Sequence, residues 1–270
     1  MKSRLLRSAS VLPLLFAGPA IAADMALKAP PPAPPAPVFS WTGFYVGLNA
    51  GGAWASADPA TSASCVPALG FPMSYLPCID VAPVGATGTG SLSSSSFIGG
   101  AQAGYNWQSN NAVFGAELDI DSFHVRASRH ATTFYTGLGS TFTVANSVSA
   151  DWLFTARARL GWAFAPNLLA YATGGLALTD LGSSNTFTDP GINQSWSGST
   201  TKVGWTVGGG LEWALNRNWS VKAEYLYVKF DSVKASGFLI SRAVNGYANA
   251  ISTSTDLTAN IARAGVNSRF

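Results

Sequence analysis

Only 11% of the 270 residues are charged, while 12% are aromatic; an average soluble domain is roughly a quarter charged, so an ordinary water-soluble globule is a poor fit. After the N-terminus no stretch reaches 18 consecutive apolar residues, which excludes membrane-spanning helices of the usual length. The formal charge of +3 resides in Lys2, Arg4 and Arg7; without them 13 basic residues balance 13 acidic ones, and no electrostatic footprint for nucleic acid is left.

Those three basic residues, the apolar run Val11 to Phe16 and the small-residue pattern Ala20-Ile21-Ala22 read as a secretory signal over residues 1–22. Residues 23–40 read as a linker. Its segment Ala29 to Pro37 is mostly proline, which fixes φ and lacks the backbone donor, so a stiff extended chain is expected rather than helix or ladder. Residues 41–270 read as one domain.

In that domain strand-like runs fall near 43–55, 95–107, 112–124, 149–164, 168–180, 202–215, 219–231 and 256–270. Three connections are very short, at 108–111, 165–167 and 216–218. Four are long and rich in Ser, Thr, Gly and Asn, at about 56–94, 125–148, 181–201 and 232–255. Short and long alternate strictly, which is the pattern of an up-and-down transmembrane β-barrel with tight turns at one end and long loops at the other. The fold class expected is therefore all-β: eight antiparallel strands in a closed barrel, both termini at the short-turn end.

Alternation assigns the faces. In the fourth run Trp152, Phe154, Ala156, Ala158, Leu160, Trp162 and Phe164 share one face, and Leu153, Thr155, Arg157, Arg159 and Gly161 the other. In the third, Phe114, Ala116, Leu118 and Ile120 alternate with Gly115, Glu117, Asp119 and Asp121. A charge facing lipid near the midplane costs about 2–4 kcal/mol, so the aromatic stripe is expected outside and the charged stripe inside. Trp152 and Trp162, ten residues apart on one face, project to about 25 Å on a tilted strand, the height of an apolar membrane band. Trp152, Trp162, Trp213 and Trp219 are therefore expected in aromatic girdles. The chain's last residue, Phe270, ends an alternating strand in the manner of an outer-membrane assembly signal.

An eight-stranded bore has room only for side chains. Its inward charges should then neutralise one another, since an isolated buried charge is costly. The expected lumen network comprises Glu117, Asp119, Arg157, Arg159, Glu212, Lys222, Glu224 and Arg263, with Arg269 on the last strand. Symmetric pairing about the turn at 216–218 sets Glu212 opposite Lys222, and counting from the short-turn ends sets Glu117 and Asp119 level with Arg159 and Arg157. Inward glycines such as Gly204, Gly208 and Gly210 relieve crowding and let a narrow barrel curve; no phosphate loop precedes a helix, so they are not a nucleotide site.

Cys65 and Cys78 fall in the first long connection, and in an oxidising compartment a local disulfide between them is expected. His124 and His130 are the only histidines. Asp121, Ser122 and His124 suggest the external group of a lipid-modifying barrel enzyme, yet Asp121 and His124 point to opposite faces of a regular strand. No catalytic, cofactor or metal site is expected, and haemin capture by a loop histidine or tyrosine is the alternative for these residues.

Ser40-Trp41-Thr42-Gly43-Phe44-Tyr45-Val46-Gly47-Leu48-Asn49-Ala50-Gly51-Gly52 resembles the opening strand of the small outer-membrane immunogenic, porin-like proteins of alphaproteobacteria. So do Ala103 to Trp107, Tyr171 to Gly175 and Trp219 to Tyr227, and the ending Arg263, Gly265, Asn267 and Phe270, with Ser268 where an aromatic is usual. The resemblance implies an OmpA-like eight-stranded barrel of the outer membrane and a surface-antigen role, with haemin binding in some relatives. Expected partners are outer-membrane lipid, lipopolysaccharide and the assembly machinery. The main functional expectation is a structural surface protein with a plugged lumen; the alternatives are a narrow channel for small solutes and a surface ligand-binding protein.

Overall fold

The computed structural model describes residues 39–67, 70, 72–241 and 247–270. The expected signal peptide at 1–22 and most of the expected linker lie outside the described residues. Eight strands follow in chain order: β1 (Gly43–Pro67), β2 (Leu92–Ser109), β3 (Ala112–Phe134), β4 (Thr141–Ala165), β5 (Leu168–Thr188), β6 (Asn193–Ala214), β7 (Trp219–Ile240) and β8 (Ala248–Arg269). One helix, α1 (Cys78–Gly88), lies between β1 and β2. Each strand pairs antiparallel with its neighbours and β1 closes on β8, an up-and-down barrel. The end carrying the three short turns is called lower here.

In the lower part alternation places side chains as the charge argument requires. Phe44, Leu48, Leu118, Leu160, Trp205 and Leu211 point outward and are about half exposed or more, while Glu117, Arg157, Glu212 and Arg263 point inward and are buried. The register explains how such side chains fit. Inward charges lie opposite glycines on the next strand: Arg263 faces Gly51, Asp121 faces Gly100, Arg157 faces Gly175 and Lys222 faces Gly265. At Gly175 an added Cβ would come within 2.0 Å of the Ala156 carbonyl oxygen, so no larger residue fits there without moving β4.

The strands are much longer than the apolar stripes. Residues read from the sequence as loops at 125–148, 181–201 and 232–255 are largely strand, broken only around the upper turns. The physical reason is a change of phase. In the upper part of β4, Phe142, Val144, Val148 and Ala150 point inward, although they share sequence parity with the outward Trp152 and Phe154. Asp151 and Trp152 both face outward, and the register of β4 with β5 shifts between Ala150 and Phe154, a β-bulge that turns the strand over. On β7 Asp231 and Ser232 do the same, with the register shift between Phe230 and Val233.

The upper wall is also divided. Among the described residues β2 and β3 pair only up to Ile98 and Phe123, and β6 and β7 only up to Gly204 and Phe230. Above those levels β3 to β6 pair continuously, as do β7, β8, β1 and β2, and β5 comes close to β7. The helix α1, with Pro83 inside it and no side-chain cap, packs against β1, β3 and β4. It lies in the segment 56–94, whose composition is that of a loop.

Candidate functional site in the barrel lumen

From the lower end upward the interior is filled in layers. The lowest is apolar: Trp41, Val113, Ala163, Leu169, Tyr171 and Ala214. Trp41 is fully buried and its amide donates to Gln108 Oε1 at 2.7 Å, so the chain just before β1 closes the lower mouth. Phe39, inside the stretch expected to be linker, packs against this layer, and the Arg269 guanidinium sits 4.9 Å from the ring centroids of both Phe39 and Trp41.

The second layer is the charge network. Arg157 Nη2 bonds Glu117 and, at 2.8 Å, Asp119, while its Nη1 lies 3.1 Å from Glu224. Arg263 spans Asp119 at 3.0 Å, Asp121 at 2.7 Å and Glu224 at 2.8 Å. Arg159 holds Glu212 at 2.8 Å and stacks 3.8 Å over the Tyr171 ring. Lys222 reaches Glu117 at 2.9 Å. Every one of these side chains is at most 2% exposed. Neutral groups complete the shell: Tyr45 donates to Glu117 at 2.6 Å, Ser220 to Glu212 at 2.6 Å, Thr155 to Asp119 at 2.6 Å and Tyr171 to Glu224 at 3.0 Å. Five carboxylates thus share four cations, with Arg269 a fifth on β8.

All eight residues expected in the network meet there, and the details of pairing differ. Glu212 is opposite Lys222 as turn symmetry requires, yet the ammonium crosses the lumen to Glu117 and leaves Glu212 to Arg159. Glu117 is level with Arg157, and Asp119 with Thr155, two residues away from the expected pairing. The cause is strand stagger: Ala112 pairs with Trp162, so β4 runs past β3 at the lower end, and counting from the strand ends misses that offset. Asp121, Tyr45 and Tyr171 are further members of the network; of these Asp121, which continues the parity of Glu117 and Asp119, carries a signal in the sequence.

The third layer is apolar again, with Ile98, Phe123, Leu153, Leu226, Phe230 and Ile261 all 0–1% exposed. Above it is a polar belt: Thr61 Oγ1 lies 3.0 Å from Thr253 Oγ1, and Asn146 donates to the Gly88 carbonyl at 2.7 Å. The top is an apolar cap in which Leu76 and Val84, beside and within α1, meet Tyr135, Phe142, Phe187 and Trp196. Tyr75 and Tyr135 each donate to Asp189 Oδ2 at 3.0 Å. Burial chiefly, then the Asp189 charge, pushes both phenols above the ordinary tyrosine range.

The remaining candidates are placed as follows. Asp121 is inward on Arg263, whereas Ser122 and His124 face outward with Ser122 Oγ 2.8 Å from His124 Nδ1, so the three do not assemble. His130 is also outward on β3. Trp162, Trp213 and Trp219 lie outward near the lower turns, and Trp152 outward at the β4 bulge. Phe270 is 80% exposed at the end of β8. Cys65 and Cys78, between which a bridge is expected, are exposed free thiols brought close together; Cys78 Sγ donates to the Cys65 carbonyl at 3.5 Å.

The family described as outer membrane protein beta-barrel domain matches residues 20–270. The 31 kDa outer-membrane immunogenic protein of Brucella melitensis is 39% identical over 231 residues, covering 84% of this chain and 86% of that protein. The 25 kDa outer-membrane immunogenic protein of Brucella abortus is 29% identical over 233 residues, covering 85% of each. Among solved structures, the outer membrane protein OprG from Pseudomonas aeruginosa aligns with a TM-score of 0.44 and 12% identity, covering 86% of this chain and 99% of that one.

Proposed function

This chain belongs to the outer membrane protein β-barrel domain family, and on that premise we propose that it is a non-conducting structural protein of the cell surface. It is an integral β-barrel of the Gram-negative outer membrane. One observation carries the reading of its role: among the described residues the lumen is occupied from the lower mouth to the top, with an ion-paired charge layer held between two apolar layers and a further cap above. An ion entering would have to pass the apolar cluster that contains Phe123, Leu153 and Phe230, side chains that cannot replace its hydration shell. Planar-bilayer recording on the folded protein tests this. No steady openings are expected, and stepwise conductance would overturn the reading.

The role that fits a sealed barrel is carried by its upper end. The relatives are named as immunogenic, and the hydroxyl-rich upper strands and turns of this chain are placed to meet antibodies in the same way; antibodies raised against the turn at 135–140 should label intact cells. No catalytic role is proposed, because Asp121 is committed to Arg263 on the opposite side of the wall from Ser122 and His124. An export signal at residues 1–22, girdle positions for Trp152, Trp162, Trp213 and Trp219, and recognition of Phe270 by the assembly machinery belong to the same proposal.

A further inference from the structure

We propose that Cys65 and Cys78 are oxidised to a disulfide that locks α1 over the upper mouth of the barrel. β1 rises to Pro67 and α1 begins at Cys78, so one cysteine lies near the upper end of the strand and the other at the first position of the helix. Both thiols are exposed, and Cys78 Sγ lies within 3.5 Å of the Cys65 carbonyl although thirteen residues separate them. The Cys78 thiol is pushed up, chiefly by its hydrogen bond with the Cys65 side chain.

What the bridge would hold is visible in the rest of α1. The helix packs against β1, β3 and β4. Its C-terminal end is fixed by three strands: Thr61 Oγ1 donates to the Gly88 carbonyl at 2.9 Å, Asn146 to the same carbonyl at 2.7 Å, and Arg129 to Thr89 at 2.9 Å. Val84 is fully buried in the cap. At the N-terminal end Asp80 Oδ1 accepts from the Gly137 amide at 3.0 Å, Asn249 joins the Ser64 carbonyl of β1 to Ser74 Oγ just before the helix, and the cysteine pair adds a direct contact between β1 and the first residue of α1. In the oxidising envelope the two thiols give up two protons and two electrons through a mixed disulfide to a protein disulfide of the thiol oxidoreductase class, which leaves as the dithiol.

Two measurements on the full-length protein test this. Cells are lysed in excess N-ethylmaleimide and the intact mass is read with and without prior reduction. The expected result is no adduct before reduction, two after it, and a cross-linked peptide pair spanning residues 65 and 78; two adducts on unreduced protein would overturn the bridge. Hydrogen exchange is then compared between oxidised, reduced and Cys65→Ser/Cys78→Ser protein. Closing a short loop restrains local opening enough that exchange over 78–91 should rise by roughly one to two orders of magnitude on reduction. Protection of the lower strands should stay unchanged, which also confirms that the variant is folded. A bridge whose reduction leaves α1 exchange unaltered would overturn the lock.

Discussion

The lower and upper halves of this barrel use the same strands with opposite polarity. Below, Ala262 and Val266 of β8 face outward while Arg263 and Asn267 are buried; above, Ser254 and Asp256 face outward while Leu257 and Ile251 are buried. The backbone ladder is common to both halves, so hydrogen bonding does not make the difference. The medium outside does. Hydrocarbon takes up the apolar stripe and drives charge into the lumen, whereas water takes up the hydroxyls and leaves the lumen to be filled with an ordinary apolar core. On β5 and β8 the change is one of composition at constant parity, but on β4 and β7 parity itself flips at a bulge.

The sharpest way to break this comparison is to make the upper filling polar. Replacing inward Phe142, Val144 and Val148 together by Ser removes three buried apolar side chains from the upper half. At about 2 kcal/mol for each, the upper half should lose roughly 6 kcal/mol. Limited proteolysis should cut within 135–150 while the lower strands stay protected; an intact upper half would show that the apolar filling does not hold it together.

The next effect belongs to the lower half. Arg157→Met leaves Glu117, Asp119 and Glu224 without their shared guanidinium. Breaking one partner of a buried network costs about 3–5 kcal/mol, because the remaining charges stay in place uncompensated. Urea unfolding in detergent should register that loss, and Ser147→Ala on the outer face of the upper half should leave the midpoint nearly unmoved. Equal losses for the two would mean that the lumen charges are not buried as described.

The two halves were also unequally legible in the sequence. Lower strands announce themselves because aromatics and charges alternate at period two, and the eight network residues follow from parity alone. The pairing offset between Glu117 and Arg157 does not follow, since stagger belongs to the closed barrel and leaves no local mark. Upper strands such as Thr141 to Ala150 do alternate, as Phe142, Val144 and Val148 against Thr143, Ala145 and Ser147. Their outward hydroxyls and small residues nevertheless resemble loop composition, and the bulge hides the continuity. Helix α1 carries Pro83 and no cap, so the propensities that identify a helix were missing.

The smallest effect tests whether the cap behaves as a true core. Asp189 Oδ2 accepts from both Tyr75 and Tyr135, so Tyr135→Phe removes one of two bonds and should cost about 1 kcal/mol. Its signature is in the pH dependence. Both phenols are held above their ordinary range, by burial first and Asp189 second, so the folded cap binds these protons more tightly than the opened chain does. Their contribution is fully present below the unfolded tyrosine value of about 10 and declines as pH rises beyond it. Protease sensitivity of the upper turns should therefore increase above about pH 10, and less steeply in Tyr135→Phe, because one of the two phenols that must ionise is gone. The lower strands have no reason to follow that curve, and a parallel rise in both halves would mean that the cap and the lumen open as one unit.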